Sequence, residues 1–111
     1  MDSILTSIKK MLGIDEAYTI FDPDIIICIN SVFTILTQLG VGPAEGFKIE
    51  DEDDEWSDFL SDDSNLELVK SYMHLKVKLL FDPPSSSALL ESMNNLVKES
   101  EFRLNVEVDP E

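Results

Sequence analysis

The segment FDPDIIICINSVFTILTQLGVGP, residues 21–43, most constrains what this chain can fold into. Asp22 is a typical N-cap, Pro23 suits the first helical position, and Gly40 is typical of the left-handed residue that ends a helix. Between these signals the polar side chains form one narrow stripe, and apolar side chains cover the rest of the circumference. The segment therefore predicts a central buried helix running to Leu39, with apolar surface left over for a neighbouring subunit.

This apolar run does not predict a membrane span. Residues 25–39 are fewer than the roughly 20 that cross a bilayer, and they include polar side chains such as Asn30 and Gln38. Cys28 is the single cysteine and lies inside the run, which indicates a buried free thiol and a reducing compartment. No segment has the pattern of a secretory signal peptide, so secretion is not indicated.

Two further helices follow from caps and spacing. The opening residues MDSILTSIKKMLG offer Asp2 or Ser3 as N-cap, one apolar face, and Gly13 as the end. The segment SNLELVKSYMHLKVKLLFDPP begins with a capping box from Ser64 to Glu67 and carries apolar residues at helical spacing until the Pro-Pro pair. With 111 residues, the chain is the size of one domain.

The last part of the chain predicts a fourth helix and then a tail. Serines 85–87 offer caps, and apolar residues at helical spacing continue to about Arg103. Beyond it apolar and polar residues alternate, with Leu104, Val106 and Val108 on one edge, which indicates an extended or unstructured tail. That edge could pair with an extended piece of the same chain, such as residues 47–49, or dock on a partner by strand addition. We therefore predict an all-α fold, a small bundle of four main helices in residues 1–103 with an extended C-terminal tail in 104–111.

Between the second and third helices lies the most charged part of the chain. The net charge is -15, and ten acids fall within residues 45–63, where Lys48 is the only base. Trp56, Phe59 and Leu60 at i, i+3 and i+4 predict one helical turn that anchors this long acidic loop to the core. Such a surface repels phosphate backbones and anionic lipid, which argues against conventional nucleic-acid or membrane binding.

The acids of this loop leave four interpretations open: a metal cage, a DNA mimic, a repulsive surface or a solvated loop. They lack the spacing and the glycine of a calcium-binding loop, so no dedicated metal site is expected. The candidate site residues are Glu50, Asp51, Glu52, Asp53, Asp54, Glu55 and Asp58.

Lys70, His74 and Lys78 form a basic stripe on the third predicted helix because they are four residues apart. A catalytic role for His74 would need a nucleophile, and Ser71 lacks the glycine-rich elbow and the acid that such a site requires. The chain has no phosphate loop, dinucleotide fingerprint or paired zinc ligands. We therefore predict no enzyme and no cofactor, and expect the stripe to meet acids of its own chain or of a neighbour.

The order of these features resembles the head-to-tail connector proteins (adaptor or head-completion proteins) of tailed bacteriophages and Gram-positive prophages. The resemblance spans nearly the whole chain. Its pieces are the Asn-Ser pair in the second helix, the Gly-Val-Gly after it, the turn EWSDFL, the segment YMHLKVKLLFDPP before an amphipathic helix, and the closing RLNV. None of these is a catalytic motif.

The resemblance implies a structural subunit that assembles as a ring, typically of twelve copies, beneath the portal protein. Such a ring extends the DNA channel, lets double-stranded DNA pass without specific binding, and receives the stopper or tail-completion protein. The subunit would be made in the cytoplasm of a bacterial host and reside in the virion at the head-tail interface.

The acidic loop would then face the channel or a partner, and the basic stripe Lys70, His74 and Lys78 would be a candidate for contacts between subunits. The alternative is an acidic DNA mimic that binds a host nuclease or regulator. Mimics spread carboxylates over a folded face, whereas these acids are clustered in one loop, which favours the connector.

Overall fold

A computed structural model describes residues 3–43, 45–59 and 63–108 of the protein, except for the side chains of 63–65 and 106–108. These residues form five helices: α1 (Ile4–Leu12), α2 (Asp22–Gln38), α3 (Trp56–Phe59), α4 (Asp63–Phe81) and α5 (Ser87–Val108). No β-strand occurs within those ranges. The predicted all-α bundle, with four main helices and a short helical turn in the acidic loop, is confirmed.

The caps of α1 are those that the sequence predicts. The hydroxyl of Ser3 accepts a hydrogen bond from the amide of Thr6 at 3.2 Å, which satisfies one donor of the first turn. At the other end Gly13 has a φ of 81°, and its amide donates to the carbonyl of Lys10. Of the two predicted N-caps, the cap is therefore Ser3. Ile4 and Ile8 point from this helix into the core.

The predicted N-cap of α2 is wrong by one residue. Phe21 occupies the cap position and makes no side-chain capping bond, whereas Asp22 is the first residue of the helix. The carboxylate of Asp22 is instead engaged by the ammonium of Lys9 from α1 at 2.8 Å. At the far end Leu39 is the C-cap and Gly40 follows with a φ of 85°, so the predicted end of the helix is confirmed.

The core lies where α2 crosses α4 and α1 covers both. An aromatic cluster closes one end of it, in which the Phe33 ring lies 4.7 Å from the Phe59 ring and 5.0 Å from the Phe47 ring, centroid to centroid. The fully buried side chains of the three helices are Ile4, Ile8, Ile25, Ile29, Val32, Phe33, Leu36, Val69, Tyr72, Met73 and Val77.

Helix α4 begins one residue before the predicted cap at Ser64, and it ends at Phe81, ahead of the Pro-Pro pair. Helix α5 packs along α4. A hydrogen bond from the hydroxyl of Tyr72 to the carboxylate of Glu101, 2.7 Å long, joins the two helices. Burial and this carboxylate raise the pKa of Tyr72, so the phenol stays a donor.

The predicted extended tail is wrong for residues 104–108, because α5 continues to Val108. Leu104 is 1% exposed, and the amide group of Asn105 donates to the carbonyl of Leu39 at 3.4 Å. Leu104 lies seven residues after the buried Val97, so it continues the apolar stripe of the helix as well as fitting an alternating pattern. The helix thus crosses the predicted boundary at residue 103, and residues 109–111 lie outside the described ranges.

Candidate functional site

The acidic loop is held at its start by a side chain of α2. Asn30 bonds the backbone of Ile49 twice: its carbonyl oxygen accepts from the Ile49 amide at 2.7 Å, and its amide group donates to the Ile49 carbonyl at 3.0 Å. The Ile49 side chain is 1% exposed. The first residue before the acid run is therefore fixed to the central helix, with the polar backbone of a buried position fully paired.

Within the loop, some carboxylates shape the backbone. Asp54 accepts hydrogen bonds from the amides of Glu50 at 2.7 Å and Asp51 at 3.3 Å. Asp51 in turn accepts from the amide of Asp53 at 2.9 Å. These are turn contacts of the kind that Asp makes with nearby amides, so Asp51 and Asp54 have a structural use that the composition does not reveal.

The loop ends against α1. The Ile4 amide donates to the carbonyl of Asp54 at 3.0 Å, and the carboxylate of Asp58 accepts from the amide of Glu55 at 3.0 Å, which caps α3. The indole of Trp56 donates to the hydroxyl of Ser7 at 3.2 Å. The predicted anchoring turn is thus confirmed for Trp56, which is buried.

Phe59 is the second residue of the predicted anchoring turn, and its position explains why residue 42 is glycine. It is 4% exposed and packs against Gly42, where a Cβ would clash with the ring. Gly42 also has a φ of 84°, a conformation that favours glycine. The second glycine of the Gly-Val-Gly motif is therefore needed for the acidic loop to pack against the end of α2. Leu60, the third predicted anchor, lies outside the described residues.

What the loop presents outward is negative charge. The exposed side chains are those of Glu50, Asp51, Glu52, Asp53 and Asp58, while Asp54 and Glu55 are half-buried. The structure thus brings all seven predicted acidic residues into one compact turn system beside the start of α1. Among the described residues, no three His, Cys, Asp or Glu side chains come together so that they could hold a metal ion.

The predicted basic stripe lies half-buried rather than on an open face. Lys70 is 3.8 Å from the carboxylate of Glu67 and 5.8 Å from the centroid of the Trp56 ring. Lys78 pairs with Asp82 at 3.1 Å. The predicted contacts with acids of the same chain are therefore present, and the role of the stripe between subunits stays a prediction.

His74, in the middle of the stripe, lies near the backbone of Met11 at the end of α1. Burial lowers the pKa of His74 and the nearby Lys78 lowers it too, while the Met11 backbone opposes both effects. The ring is therefore neutral at pH 7 and lies where α4 meets α1. This placement is that of a structural histidine.

The predicted docking residues of the tail are divided. Leu104 is buried in the bundle, while Val106 and Val108 lie on the last turn of α5, and their side chains are outside the description. A docking role for this end of the chain stays a prediction. Any such surface is the end of a helix and not an extended strand up to Val108.

Sequence reasoning missed two features. Lys9 is 2% exposed and binds Asp22 as well as the carbonyls of Glu16 at 3.0 Å and Tyr18 at 2.8 Å. The only signal was a lysine one residue after the buried Ile8 in a short helix. Cys28, predicted to be buried, is half-buried at an apolar groove, and burial, followed by the Asp24 carboxylate, raises the pKa of its thiol.

Comparisons with known proteins agree with the resemblance seen in the sequence. A family model described as "Phage connector protein" matches residues 4–111, which include all five helices. No curated protein and no solved structure matches the chain at a significant level. Within the residues described, no helix is both long enough and apolar enough to span a membrane.

Proposed function

We propose that this chain, which belongs to the phage connector protein family, is a ring-forming subunit. In this role it joins the portal to the stopper or tail-completion protein. Family membership gives it a structural role at the head-tail connection of a virion. The match over residues 4–111 is the observation that carries the proposal, since it covers the bundle and the acidic loop together.

The exposed acids suit a passage for double-stranded DNA. A lysine on the wall of a DNA channel would bind phosphate and release counterions, which adds affinity and retards passage. Carboxylates such as Glu52 and Asp53 repel phosphate instead, over the screening distance of about 8 Å at physiological salt. A negative loop that is held at both ends by hydrogen bonds would keep DNA from adhering where it lines the channel.

Ring assembly has to overcome a net charge of -15 on each copy. Exposed apolar side chains on α5 supply a source of attraction: Leu89 is 52% exposed and Leu96 is 50% exposed, and the two lie on one flank, seven residues apart. A ring contact through Lys70 or Lys78 would have to share the acids that these residues already bind. We therefore expect salt to promote assembly and the portal to nucleate it.

Deletion of the gene in a producing host tests the connector role. We expect DNA-filled heads and separate tails by electron microscopy, with infectious yield restored by a copy of the gene. An undiminished yield of tailed particles would overturn the proposal. As a control, deletion of a tail-fibre gene in the same host should leave heads and tails joined.

The DNA-mimic alternative predicts a different location. A connector stays in the finished particle, so labelling an affinity tag on the protein with gold should mark the neck between head and tail. A DNA mimic would remain in the host lysate, and its absence from purified tailed particles would remove the connector assignment.

A further inference from the structure

We propose that the apolar groove between α1, α2 and α4 is a docking site for a basic amphipathic segment of another head-tail protein. The inference rests on the proposed function and names the chemistry of one partner.

The groove is a cavity of about 710 Å³ on the surface of the bundle. Its apolar lining residues are Leu12, Ile14, Phe21, Ile27, Leu80 and Phe81. Three of them are unusually open to solvent, since Ile27 is 65% exposed, Leu80 53% and Phe21 39%. Isolated apolar side chains on a surface are ordinary, but several that line one concave site mark a binding surface.

A second depression of about 500 Å³ lies on the other side of Ile27. Its apolar floor is formed by Leu5, Pro23 and Ile26. The acidic loop supplies the rim of this second depression through Glu50, Asp51 and Glu52. Ile27 is therefore an exposed ridge between two apolar depressions, one of which is bounded by the loop whose charge is the chief feature of the sequence.

Every charged side chain that lines the two depressions is an acid. Asp82 is already paired with Lys78 and Asp22 with Lys9, which leaves Asp24 on one side and the acids of the loop on the other. An occupant that matches this surface has apolar side chains over Ile27 and lysines or arginines at its edges. An amphipathic helix laid in the groove provides that arrangement with anchors at i, i+3, i+4 and i+7.

A second copy of this chain fits the surface poorly. It would bring a net charge of -15, and of its eight lysines and arginines only Lys10, Lys48, Lys98 and Arg103 are exposed. Arg103 is also bound to Glu99 at 2.7 Å. Because like charges placed together cost free energy and slow association, the groove favours a cationic partner over a copy of itself.

The position of Cys28 makes the proposal testable, because the only cysteine of the chain lies in the groove and is half-buried. The probe is a synthetic amphipathic peptide of leucine and lysine, about 18 residues or five helical turns long. Matched peptides replace lysine with glutamate, or leucine with serine. We expect the leucine-lysine peptide alone to slow alkylation of Cys28, by about tenfold when nearly all of the protein is bound.

Variants then locate the binding. The double variant Ile27→Gln and Leu80→Gln should weaken binding of the leucine-lysine peptide by about tenfold or more, as expected when anchors are lost. The control, Leu89→Gln with Leu96→Gln on α5, should leave binding within about twofold. All four residues are half exposed or more, so both variants should fold. Asp24→Asn should reduce the salt dependence of binding.

Three results would overturn the proposal: equal protection of Cys28 by the glutamate or serine peptide, no effect of the groove variant, or protection without peptide that rises with protein concentration. The last result would assign the groove to a second copy. The test of the connector role is independent of the test of the groove. If the groove variant restores phage yield to a deletion host as well as wild type does, this inference fails while the connector role stands.

Discussion

The two long connections of this molecule are fixed in opposite ways. The segment between α1 and α2 is held in place by one buried cation. The ammonium of Lys9 binds two carbonyls of this segment and the carboxylate of Asp22. The acidic loop is held by several separate hydrogen bonds, from Asn30 to the buried Ile49 at its start and, nearer the surface, from Asp54 and Asp58 further along.

The difference shows where charge is free to serve function. A buried ion must keep all of its partners, because removal of one leaves the other charge desolvated and unpaired. Surface hydrogen bonds are individually small, so the loss of one of them costs less than the loss of a buried ion's partner and leaves the others in place. The acidic loop can therefore present Glu52 and Asp53 to a partner or to DNA without these side chains having to support the fold.

The largest effect expected from this comparison is that of Lys9→Met. The change removes the buried ammonium and leaves the Asp22 carboxylate, whose side chain is 19% exposed, without its partner. We expect the free energy of unfolding to fall by about 3–5 kcal/mol, measured by urea denaturation. The control is Lys10→Met at the exposed neighbouring position, where the change should stay within about 0.5 kcal/mol. Equal effects of the two variants would mean that the buried ion does not hold this end of the molecule.

Asn30→Ala should have the next largest effect. The substitution leaves the amide and the carbonyl of the buried Ile49 without the side chain that pairs them, which costs about 1–3 kcal/mol. Hydrogen exchange at the Ile49 amide should accelerate before the protein unfolds globally. The matched control is Ser31→Ala, because its hydroxyl is exposed and bonds only the carbonyl of Ile27. Unchanged protection of Ile49 would show that the loop is held elsewhere.

Within the acidic loop, Asp54→Ala should be destabilising where Glu52→Ala is not. Asp54 accepts two backbone amides, and losing both near the surface should cost about 1 kcal/mol. The side chain of Glu52 is exposed, so its removal should change stability little and relieves repulsion. Asp54→Asn keeps an acceptor oxygen and should lie between them. If all three variants unfold alike in urea, the loop carboxylates have no structural role.

Local signals predicted most of the helices, because a cap or a stop depends only on residues close in sequence. Ser3, Gly13 and Gly40 act as predicted. Asp22 failed as a cap because a distant residue, Lys9, competes for the same carboxylate. The end of α5 failed because Leu104 fits both an alternating and a helical pattern, and only packing decides between them.

The candidate site was predictable in part. The acid run and its anchor Trp56 could be read directly from the sequence, since charge and apolar spacing are local properties. The groove could not be, because the exposure of Ile27 and Leu80 depends on how α1, α2 and α4 are arranged. A helix that is apolar nearly all round shows that some surface is left over, but not which side is uncovered.

The smallest effect concerns pH and His74, which lies half-buried where α4 meets the end of α1. Burial lowers the pKa of His74 in the folded protein from its ordinary value of 6.5. Between the lowered pKa and 6.5 the unfolded chain binds a proton that the folded protein does not. This contribution to stability is therefore intact above pH 6.5 and is lost as the pH falls toward the folded pKa.

His74→Gln removes this dependence, and no other histidine in the chain can replace it. Because wild type and variant share every other titratable group, the informative quantity is the difference between them in urea unfolding from about pH 7.5 to about pH 5. Wild type should lose stability relative to the variant on acidification, by at most about 1.4 kcal/mol per pH unit for one proton. A difference in unfolding free energy that does not change with pH would mean that His74 has the same pKa in the folded protein as in the unfolded chain. Among the described residues, Lys9 would then be the one buried polar group that holds this end of α1.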